Sequence, residues 1–290
     1  MFGNQKMLNL LGTGLSGLVG SRVVELNPQH QFTDLSLDSG YDILKPESLE
    51  PIFQNNPASV VIHFAAFTDT NAAWEQRGDK NGLCYQINVV GTQNIVNLCQ
   101  KYNKHLIHIS TDFVFNGQKQ GSYTEFDTPF PLDWYGETKY QAEKIVANTN
   151  SSIIRIAFPF RSNFPTKIDL VRKIIDKLKS GQEVKMFSDQ IITPTFIDDI
   201  AQGLTLVIDK QPAGIYHLVG STSLSPYDMA KTIASTFKLD QNLVVPSLLT
   251  DYLKTPNARP YAPNLAISNQ KFVTEFGFCP KNLQSSLKNL

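Results

Sequence analysis

Two short segments of the chain carry side chains that could move a proton at a carbonyl group. Tyr135 and Lys139 stand four residues apart, and Ser110, Thr111 and Asp112 follow an apolar run. Residues four apart lie on one face of a helix, so an ammonium would stand beside the phenol. That neighbour favours the phenolate and lowers the phenol's pKa from its ordinary value of about 10. The segments are thus typical of a general acid–base site, with Thr111 hydrogen-bonding a substrate oxygen.

A glycine-rich segment supplies the context that this pair needs, because surface helices contain Tyr-x-x-x-Lys by chance. Residues 13–20 read TGLSGLVG and follow an apolar run that predicts a strand; a helical pattern comes next. Glycines in that position let the backbone approach a pyrophosphate, and the helix N-terminus attracts negative charge. We expect Gly14 to make that approach and Gly20 to let the helix pack closely on the sheet. An ordinary strand–helix turn is the alternative.

Asp34 bears on which dinucleotide would bind. It lies near the end of the expected second strand, twenty residues after Gly14. A carboxylate there accepts hydrogen bonds from the ribose hydroxyls and repels a 2′-phosphate. No Lys or Arg occurs between Arg22 and Lys45 to bind that phosphate. The sequence therefore predicts NAD or NADP, with NAD slightly favoured. A solvated loop position is the alternative for Asp34, because a register shift would move it.

Two residue pairs extend the expected cofactor site. Asp42 and Ile43 stand where a loop could close over adenine, with the carboxylate accepting a hydrogen bond from the adenine amino group. Ala65 and Ala66 follow the expected third strand and leave space for the ribose and phosphates. A crowded helix–sheet contact explains two alanines equally well.

These residues need elements to position them, and the first half of the chain alternates strand and helix patterns. The expected strands are residues 7–11, 31–35, 59–64, 105–109 and 152–157. The expected helices are residues 16–26, 46–54, 85–102 and 135–147. This alternation predicts an α/β fold, a Rossmann-type doubly wound parallel sheet with helices on both faces.

The pattern is less regular after Pro159. It predicts helices at residues 167–179 and 197–208, a strand at 214–219 and a helix beginning at Ser225-Pro226. We therefore expect a smaller C-terminal substrate lobe. The predicted division is a dinucleotide-binding domain over residues 1–160, to which about 191–220 return, and a mainly substrate-binding lobe over 161–290.

Composition excludes several classes of function. Lys and Arg total 26, as do Asp and Glu, so the net charge is zero, unlike that of a nucleic-acid binder. A net charge of zero also gives no reason to expect attraction to an anionic membrane. No apolar run is long enough to cross a membrane. Cys84, Cys99 and Cys279 form no CxxC pair, which predicts free thiols and no metal site. No signal peptide is evident, so we expect a cytoplasmic protein.

In this order, the motifs resemble those of the extended short-chain dehydrogenase/reductases and, among them, the dTDP-4-dehydrorhamnose reductase family. The similar segments cover nearly the whole chain: TGLSGLVG, AAFTDT, INVVGTQNI, STDFVFNG, YGETKYQAE, DQIITPTFIDDIA and ARPYAPNLAIS. The glycine loop and Tyr-x-x-x-Lys are common to the superfamily, whereas STDFVFNG and DQ…PT are particular to the reductase branch. Residues 71–86, residues 158–161 and the last motif depart from the family pattern, and these segments border its substrate pocket.

The resemblance implies hydride transfer from NADH or NADPH to the keto carbon of a nucleotide-activated sugar. Thr111, Tyr135 and Lys139 would be catalytic, and Asp112 would orient the sugar. Arg259 would bind a substrate phosphate, unless it is a solvated loop cation. The resemblance also implies a homodimer through the helices that hold Asn88 and Tyr135, because these helices form a common dimer face in the superfamily. The implied cofactor-binding residues are Gly14, Ser16, Gly17, Leu18, Asp34, Asp42, Ile43, Ala65, Ala66, Thr68, Asn88, Ser110, Tyr135 and Lys139.

Two other functions stay open at this point. A nucleotide-sugar epimerase or dehydratase could use the same scaffold, although Thr111 is followed by Asp112-Phe113 where a dehydratase would have an Asp-Glu pair. The reductase branch also resembles the non-catalytic regulatory subunit of methionine adenosyltransferase. His63 and His108 lie inside expected strands and are interpreted as hydrogen-bonded core histidines.

Overall fold

The computed structural model describes residues 7–162 and 164–290, which form two compact units. The first unit is the described part of Met1–Thr111, together with Trp134–Arg155 and Ala201–Tyr216. The second unit is built from Asp112–Asp133, Ile156–Ile200 and His217–Leu290. In the described part of the chain, no helix has the length and apolar character needed to cross a bilayer.

A six-stranded sheet is the centre of the first unit. β1 pairs in parallel with β2 and β3, and β3 pairs in parallel with β4. The order across the sheet is β2-β1-β3-β4-β5-β9, as expected for the predicted doubly wound fold. The ten strands of the described chain are β1 (Asn9–Thr13), β2 (Gln31–Asp34), β3 (Val60–His63), β4 (His105–Thr111), β5 (Ser152–Ile156), β6 (Pro159–Phe160), β7 (Val184–Phe187), β8 (Thr195–Phe196), β9 (Gly214–His217) and β10 (Val244–Ser247).

The strand order reverses beside β1. The chain passes from β1 to β2 on one side and then returns to β3 on the other side. Ligands of open α/β sheets bind at such a switch point, outside the carboxyl ends of the strands. The glycine loop follows β1, and Ala65 and Ala66 follow β3. The fold therefore brings the predicted cofactor segments to this edge.

Helices cover the sheet of the first unit. β1, β3 and β4 are almost continuously buried, because a parallel strand has packing partners on both faces. The helices assigned wholly or mainly to this unit are α1 (Gly20–Leu26), α2 (Pro46–Asn55), α3 (Thr70–Glu75), α4 (Leu83–Tyr85), α5 (Thr92–Lys101), α6 (Trp134–Ala147) and α8 (Ile197–Lys210), with a π-helical turn at Gln86–Gly91.

Two predicted helices of the first unit differ from the structure. The helix predicted from residue 16 begins at Gly20, because a turn closed by the Gly17 N–H to the Gly14 carbonyl (3.1 Å) occupies the preceding residues. The single helix predicted over residues 85–102 is α4, the π-helical turn and α5. Such turns are rare and occur frequently at functional sites.

Two small sheets and five helices belong to the described second unit. β7 pairs with β10, and β6 pairs with β8. The helix predicted at Ser225-Pro226 is confirmed: Ser225 Oγ accepts from the Asp228 N–H at 2.9 Å. The helix predicted from residue 167 starts at Leu170, because the Asp169 carboxylate caps it. The helices are α7 (Leu170–Lys179), α9 (Pro226–Thr236), α10 (Leu249–Tyr252), α11 (Gln270–Phe276) and α12 (Leu283–Leu287).

Gly14 provides a test of how the glycine loop is seated on β3. Its φ is +69°, and an added Cβ would stand 2.7 Å from the Ala65 nitrogen. We expect Gly14→Ala to lower the free energy of unfolding by about 2–4 kcal/mol, because it combines a left-handed backbone with a clash. Gly78, whose φ is +81° with open space around it, is the matched control and should lose about 1 kcal/mol as alanine. Equal losses in urea unfolding would contradict the contact with Ala65.

Candidate active site

Helix α6 carries a row of three buried side chains that can ionise. Tyr135, Lys139 and Glu143 follow one another at intervals of four residues, so they share one face of the helix. Their exposed fractions are 9%, 2% and 2%. The predicted pairing of Tyr135 with Lys139 on one face is therefore present, and the row continues to Glu143.

The Lys139 ammonium is held against the end of β4. Its Nζ lies 2.8 Å from the carbonyl oxygen of Ile109, to which it donates, and 3.3 Å from His108 Nε2. Burial lowers the pKa of Lys139 from 10.5 to about 8, against the opposing effect of Glu143 and Cys84. Lys139 is therefore a cation below about pH 8, in contact with the strand that ends in Thr111.

A buried network connects β4, α6 and β5. Ser110 Oγ donates to Glu143 Oε1 at 2.6 Å. Arg155 binds the same carboxylate through Nε at 2.8 Å and Nη2 at 2.7 Å. The hydroxyl of Ser110, which we predicted at the cofactor, thus donates its hydrogen bond to Glu143. Sequence reasoning missed Glu143 and Arg155, although an arginine inside an apolar strand is a signal for a buried partner.

The glycine loop is fixed by contacts with its neighbours. The Leu15 N–H donates to Ser36 Oγ at 2.9 Å, and an added Cβ on Gly20 would stand 2.5 Å from the Gly14 carbonyl oxygen. Gly14 and Gly20 are thus required by the packing of the loop on Ala65 and on itself. Ser16 at the loop tip is exposed, and its N–H has no hydrogen-bond partner within the described chain. This amide suits a phosphate oxygen.

Asp34 lies at the end of β2, as predicted, but its carboxylate already has donors. Oδ1 accepts from the Ser36 N–H at 3.0 Å and from Ser36 Oγ at 2.5 Å, and Oδ2 accepts from Ser39 Oγ at 2.8 Å. A carboxylate has about four acceptor sites, so one is left for a ribose hydroxyl. The alternative of a solvated loop position is wrong, because Asp34 pairs in β2 and is half-buried.

Of the two residues predicted to close over adenine, Asp42 is half-buried and Ile43 has its side chain in the core. Asp42 Oδ1 accepts from the Leu44 N–H at 2.9 Å, and the residue is half-buried. The side chain of Ile43 lies in the core, because its Cδ1 fills the space above Gly91. Only the backbone of Ile43 could therefore contact a ligand, and its carbonyl accepts from Asn94 Nδ2 at 2.9 Å.

A chain of buried hydrogen bonds fixes the segment after β3. Thr92 Oγ1 donates to the Asn88 carbonyl at 2.8 Å, so it accepts from the Nε2–H of His63 at 3.0 Å. The Nδ1 of His63 then accepts from Thr13 Oγ1 at 2.6 Å. Thr13 Oγ1 in turn accepts from the Ala65 N–H at 3.3 Å. Every polar atom of the His63 side chain is satisfied, as we predicted, and burial lowers its pKa to about 3.

The side chain of Asn88 joins the segment after β3 to α6. Its Oδ1 accepts from the Phe67 N–H at 2.8 Å, and its Nδ2 donates to Thr138 Oγ1 at 3.0 Å. Ala66 is half-buried and Thr68 is exposed on the same segment. Leu18, in the turn before α1, is also half-buried. The predicted cofactor residues of the first unit thus include several whose polar atoms serve the fold.

The two predicted substrate residues lie in the second unit. Asp112 is buried. Arg259 is also buried; its Nη1 lies 2.5 Å from Asp133 Oδ2, and its guanidinium is 4.0 Å from the ring centre of Tyr261. The alternative of a solvated loop cation is therefore wrong for Arg259.

The cysteines are free thiols, and the described residues form no metal-binding group. Cys84 and Cys99 are buried and Cys279 is exposed. Within residues 7–162 and 164–290, no three His, Cys, Asp or Glu side chains are grouped so that they could hold a metal ion.

The family model described as RmlD substrate binding domain matches residues 8–290. The chain belongs to this RmlD family. Among relatives, it is 30% identical to the dTDP-4-dehydrorhamnose reductase of Aggregatibacter actinomycetemcomitans, over 98% of each chain. The crystal structure of dTDP-4-dehydrorhamnose reductase from Bacillus anthracis in complex with NADP is 25% identical, with a TM-score of 0.87 over 98% of each chain.

A second kind of relative bears on the non-catalytic alternative. The RmlD-family chain is 26% identical to methionine adenosyltransferase 2 subunit beta of Xenopus laevis, over 88% of this chain and 79% of the relative. The resemblance to the dTDP-4-dehydrorhamnose reductase family and the predicted fold are both confirmed. The relatives thus include both reductases and a subunit of methionine adenosyltransferase, so the residues of the site must distinguish catalysis from regulation.

The Arg155–Glu143 pair provides a test of the network behind the site. Removing one partner of a buried ion pair leaves an uncompensated charge, so Arg155→Leu should lower the free energy of unfolding by about 3–5 kcal/mol. The double variant with Glu143→Leu removes that charge and should be less destabilised than Arg155→Leu alone. Chemical unfolding at pH 7 measures both. A double variant at least as unstable as the single one would show that the charge is not the cause.

Proposed function

We propose that this RmlD-family chain is an NADH- or NADPH-dependent reductase of the keto carbon of a nucleotide-activated sugar. One observation carries the proposal. Tyr135 and Lys139 share the buried face of α6, and Lys139 donates to Ile109 in the strand that ends in Thr111. A proton donor, a cation and a hydroxyl thus lie on two elements that contact each other. The named reductases among the relatives support the same reaction class.

In the proposed reaction, each side chain has a defined role. When bound, the reduced dinucleotide would supply a hydride to the keto carbon. Tyr135 gives its phenolic proton to the carbonyl oxygen, so that the product is an alcohol. Thr111 donates a hydrogen bond to that oxygen. Lys139 stabilises the phenolate that Tyr135 becomes, and it holds the nicotinamide ribose.

We assign the dinucleotide to the first unit and the sugar nucleotide to the second. The proposed cofactor residues fit a dinucleotide, because the loop after β1 has an exposed Ser16 amide and Asp34 keeps one acceptor site. Asp112 and Arg259 are the proposed sugar-nucleotide contacts. A dTDP-linked 4-keto sugar is the first substrate to test, because the relatives named above act on one. A cytoplasmic location and a homodimer also belong to the proposal.

The two alternatives differ from a reductase in what the purified protein would contain. An epimerase or dehydratase regenerates its cofactor within each turnover and would retain NAD stoichiometrically. A regulatory subunit would co-purify with a partner enzyme and reduce no keto sugar. The intact set of Thr111, Tyr135 and Lys139 favours catalysis. Cofactor content after purification separates the first alternative from the reductase.

Tyr135→Phe is the direct test of the proposed reaction. It removes only the hydroxyl that would protonate the carbonyl oxygen, so we expect kcat to fall by about 10²–10⁴-fold. The Kd for NADH should change by less than about twofold, because the ring stays in place. Oxidation of NADH and NADPH is followed over a set of nucleotide-linked 4-keto sugars. Near-normal turnover in this variant would exclude the assigned role of Tyr135.

The pH dependence of kcat/KM should report the protonation of Lys139 in the free enzyme. Lys139 is a cation below about pH 8 and a neutral amine above it. The phenolate would lose its neighbouring cation as the pH rises through this value. We therefore expect kcat/KM for reduction to decline above about pH 8. A profile that stays flat to pH 10 would contradict this role.

Asp34 should set the preference between the two dinucleotides. Asp34→Asn removes the charge that repels a 2′-phosphate, so the ratio of kcat/KM for NADPH to that for NADH should rise about tenfold, or about 1.4 kcal/mol. The neighbouring exposed residue provides a control, because Asp38→Asn removes a charge without changing the end of β2. Equal effects of both substitutions would mean that only the overall charge of this loop matters.

A further inference from the structure

The two histidines on β3 and β4 occupy equivalent positions but have different hydrogen bonds. His63 and His108 are register partners on adjacent strands, and their ring centres are 5.4 Å apart. Both are fully buried, with exposed fractions of 1% and 0%. Both ring nitrogens of His63 have partners, as described above. In His108, only Nε2 has one, at Lys139 Nζ, and the buried Nδ1 has none within the described chain.

The protonation states at His108 follow from this arrangement. Burial, then Lys139, then His63 hold the pKa of His108 well below its ordinary range, so the imidazole is neutral. A charged ammonium has only donors, so Nε2 of His108 must accept from Lys139, and the ring proton is on Nδ1. That N–H is buried and has no acceptor among the described residues. A buried unsatisfied donor is unfavourable, and its presence calls for an explanation.

The contact with Lys139 supplies the explanation. Of the three donors of the ammonium, one goes to the Ile109 carbonyl and one to His108 Nε2. One donor remains for a ligand. The other titratable groups beside Lys139 are Glu143, Cys84 and His63, and Tyr135 lies one turn before it on the same face of α6.

We propose that His108 is a positioning residue for the reaction: its Nε2 accepts a hydrogen bond from the Lys139 ammonium, which keeps Lys139 charged and leaves one donor of Lys139 for a ligand. The reaction part of this inference rests on the proposed function. The role of His108 toward Lys139 does not, and it can be measured without turnover. On this inference His63 serves stability and His108 serves Lys139, although the two residues are buried alike.

Three variants and one reference separate these roles. His108→Leu removes the acceptor, and His108→Gln restores it, because the glutamine amide reaches the position of the histidine Nε2. His63→Leu is the matched control on the adjacent strand. The Lys139 signal in ¹³C-lysine-labelled protein, assigned by its loss in Lys139→Met, reports the protonation of Lys139 directly.

We expect His108→Leu to lower the titration midpoint of Lys139 by about one pH unit, because a hydrogen bond to a charged group is lost. The midpoint in His108→Gln should stay within a few tenths of a unit of the parent value. For a fall from about 8 to about 7, the charged fraction drops about fivefold at pH 8 and hardly at pH 6. Accordingly kcat/KM should be about fivefold lower at pH 8 and within about twofold at pH 6.

Thermal unfolding at pH 9, where Lys139 is mostly neutral, distinguishes positioning from a structural role. His108→Leu removes an unsatisfied donor, so Tm should either rise or stay within about 2 °C of the parent value. His63→Leu leaves the buried hydroxyls of Thr13 and Thr92 without their hydrogen-bond partner, so Tm should fall by about 3–8 °C. A fall of the same size in His108→Leu would overturn the inference in favour of a structural role.

Failure of this inference is distinguishable from failure of the proposed function. An unchanged Lys139 midpoint in both His108 variants would overturn the role of His108 even if the enzyme reduces keto sugars. If no keto sugar is reduced by the parent protein, a lowered midpoint in His108→Leu with recovery in His108→Gln would still support the contact. If His108→Leu does not fold, a midpoint in His108→Gln lowered by a full unit overturns the inference.

Discussion

The candidate site depends on the burial of one ammonium group. An amine cation taken out of water is strongly disfavoured unless it is paired and hydrogen-bonded. Lys139 meets that condition through the Ile109 carbonyl, His108 and the nearby Glu143. The compensation is incomplete, since the pKa of Lys139 still falls to about 8. The same burial that weakens the cation places it where a phenol one helical turn away would feel it with little screening.

Several features of the first unit follow from holding this group in place. The end of β4 must lie under α6, because one of its carbonyls accepts from Lys139. Glu143 is buried on the same helix face, and a lone buried carboxylate would be as unfavourable as a lone ammonium. Arg155 on β5 provides its partner in a two-pronged contact, and Ser110 on β4 adds a third donor. The three elements are thereby fixed to one another by polar contacts as well as by apolar packing.

The sequence was informative wherever a pattern is local. The alternation of strand and helix, the shared face of Tyr135 and Lys139, and the cap at Ser225 all depend on residues close in the chain. The late start of α1 was not predictable, because the turn before it depends on the seating of Gly14 on Ala65. The bonds of Asp34 to Ser36 and Ser39 are local, and the tendency of Asp to bind nearby backbone donors could have revealed them.

The remaining part of the site depends on contacts between distant segments. Glu143 and Arg155 face each other only because α6 packs across β4 and β5, so neither residue could be paired from the sequence. His63 and His108 looked alike as buried strand residues, and the prediction of satisfied core histidines holds for His63 and not for His108 Nδ1. Burial alone therefore does not separate a residue that supports the fold from one that supports chemistry. The separation lies in the direction of each hydrogen bond: the bonds of His63 end on hydroxyls that belong to the scaffold, whereas the bond of His108 ends on the cation of the proposed reaction.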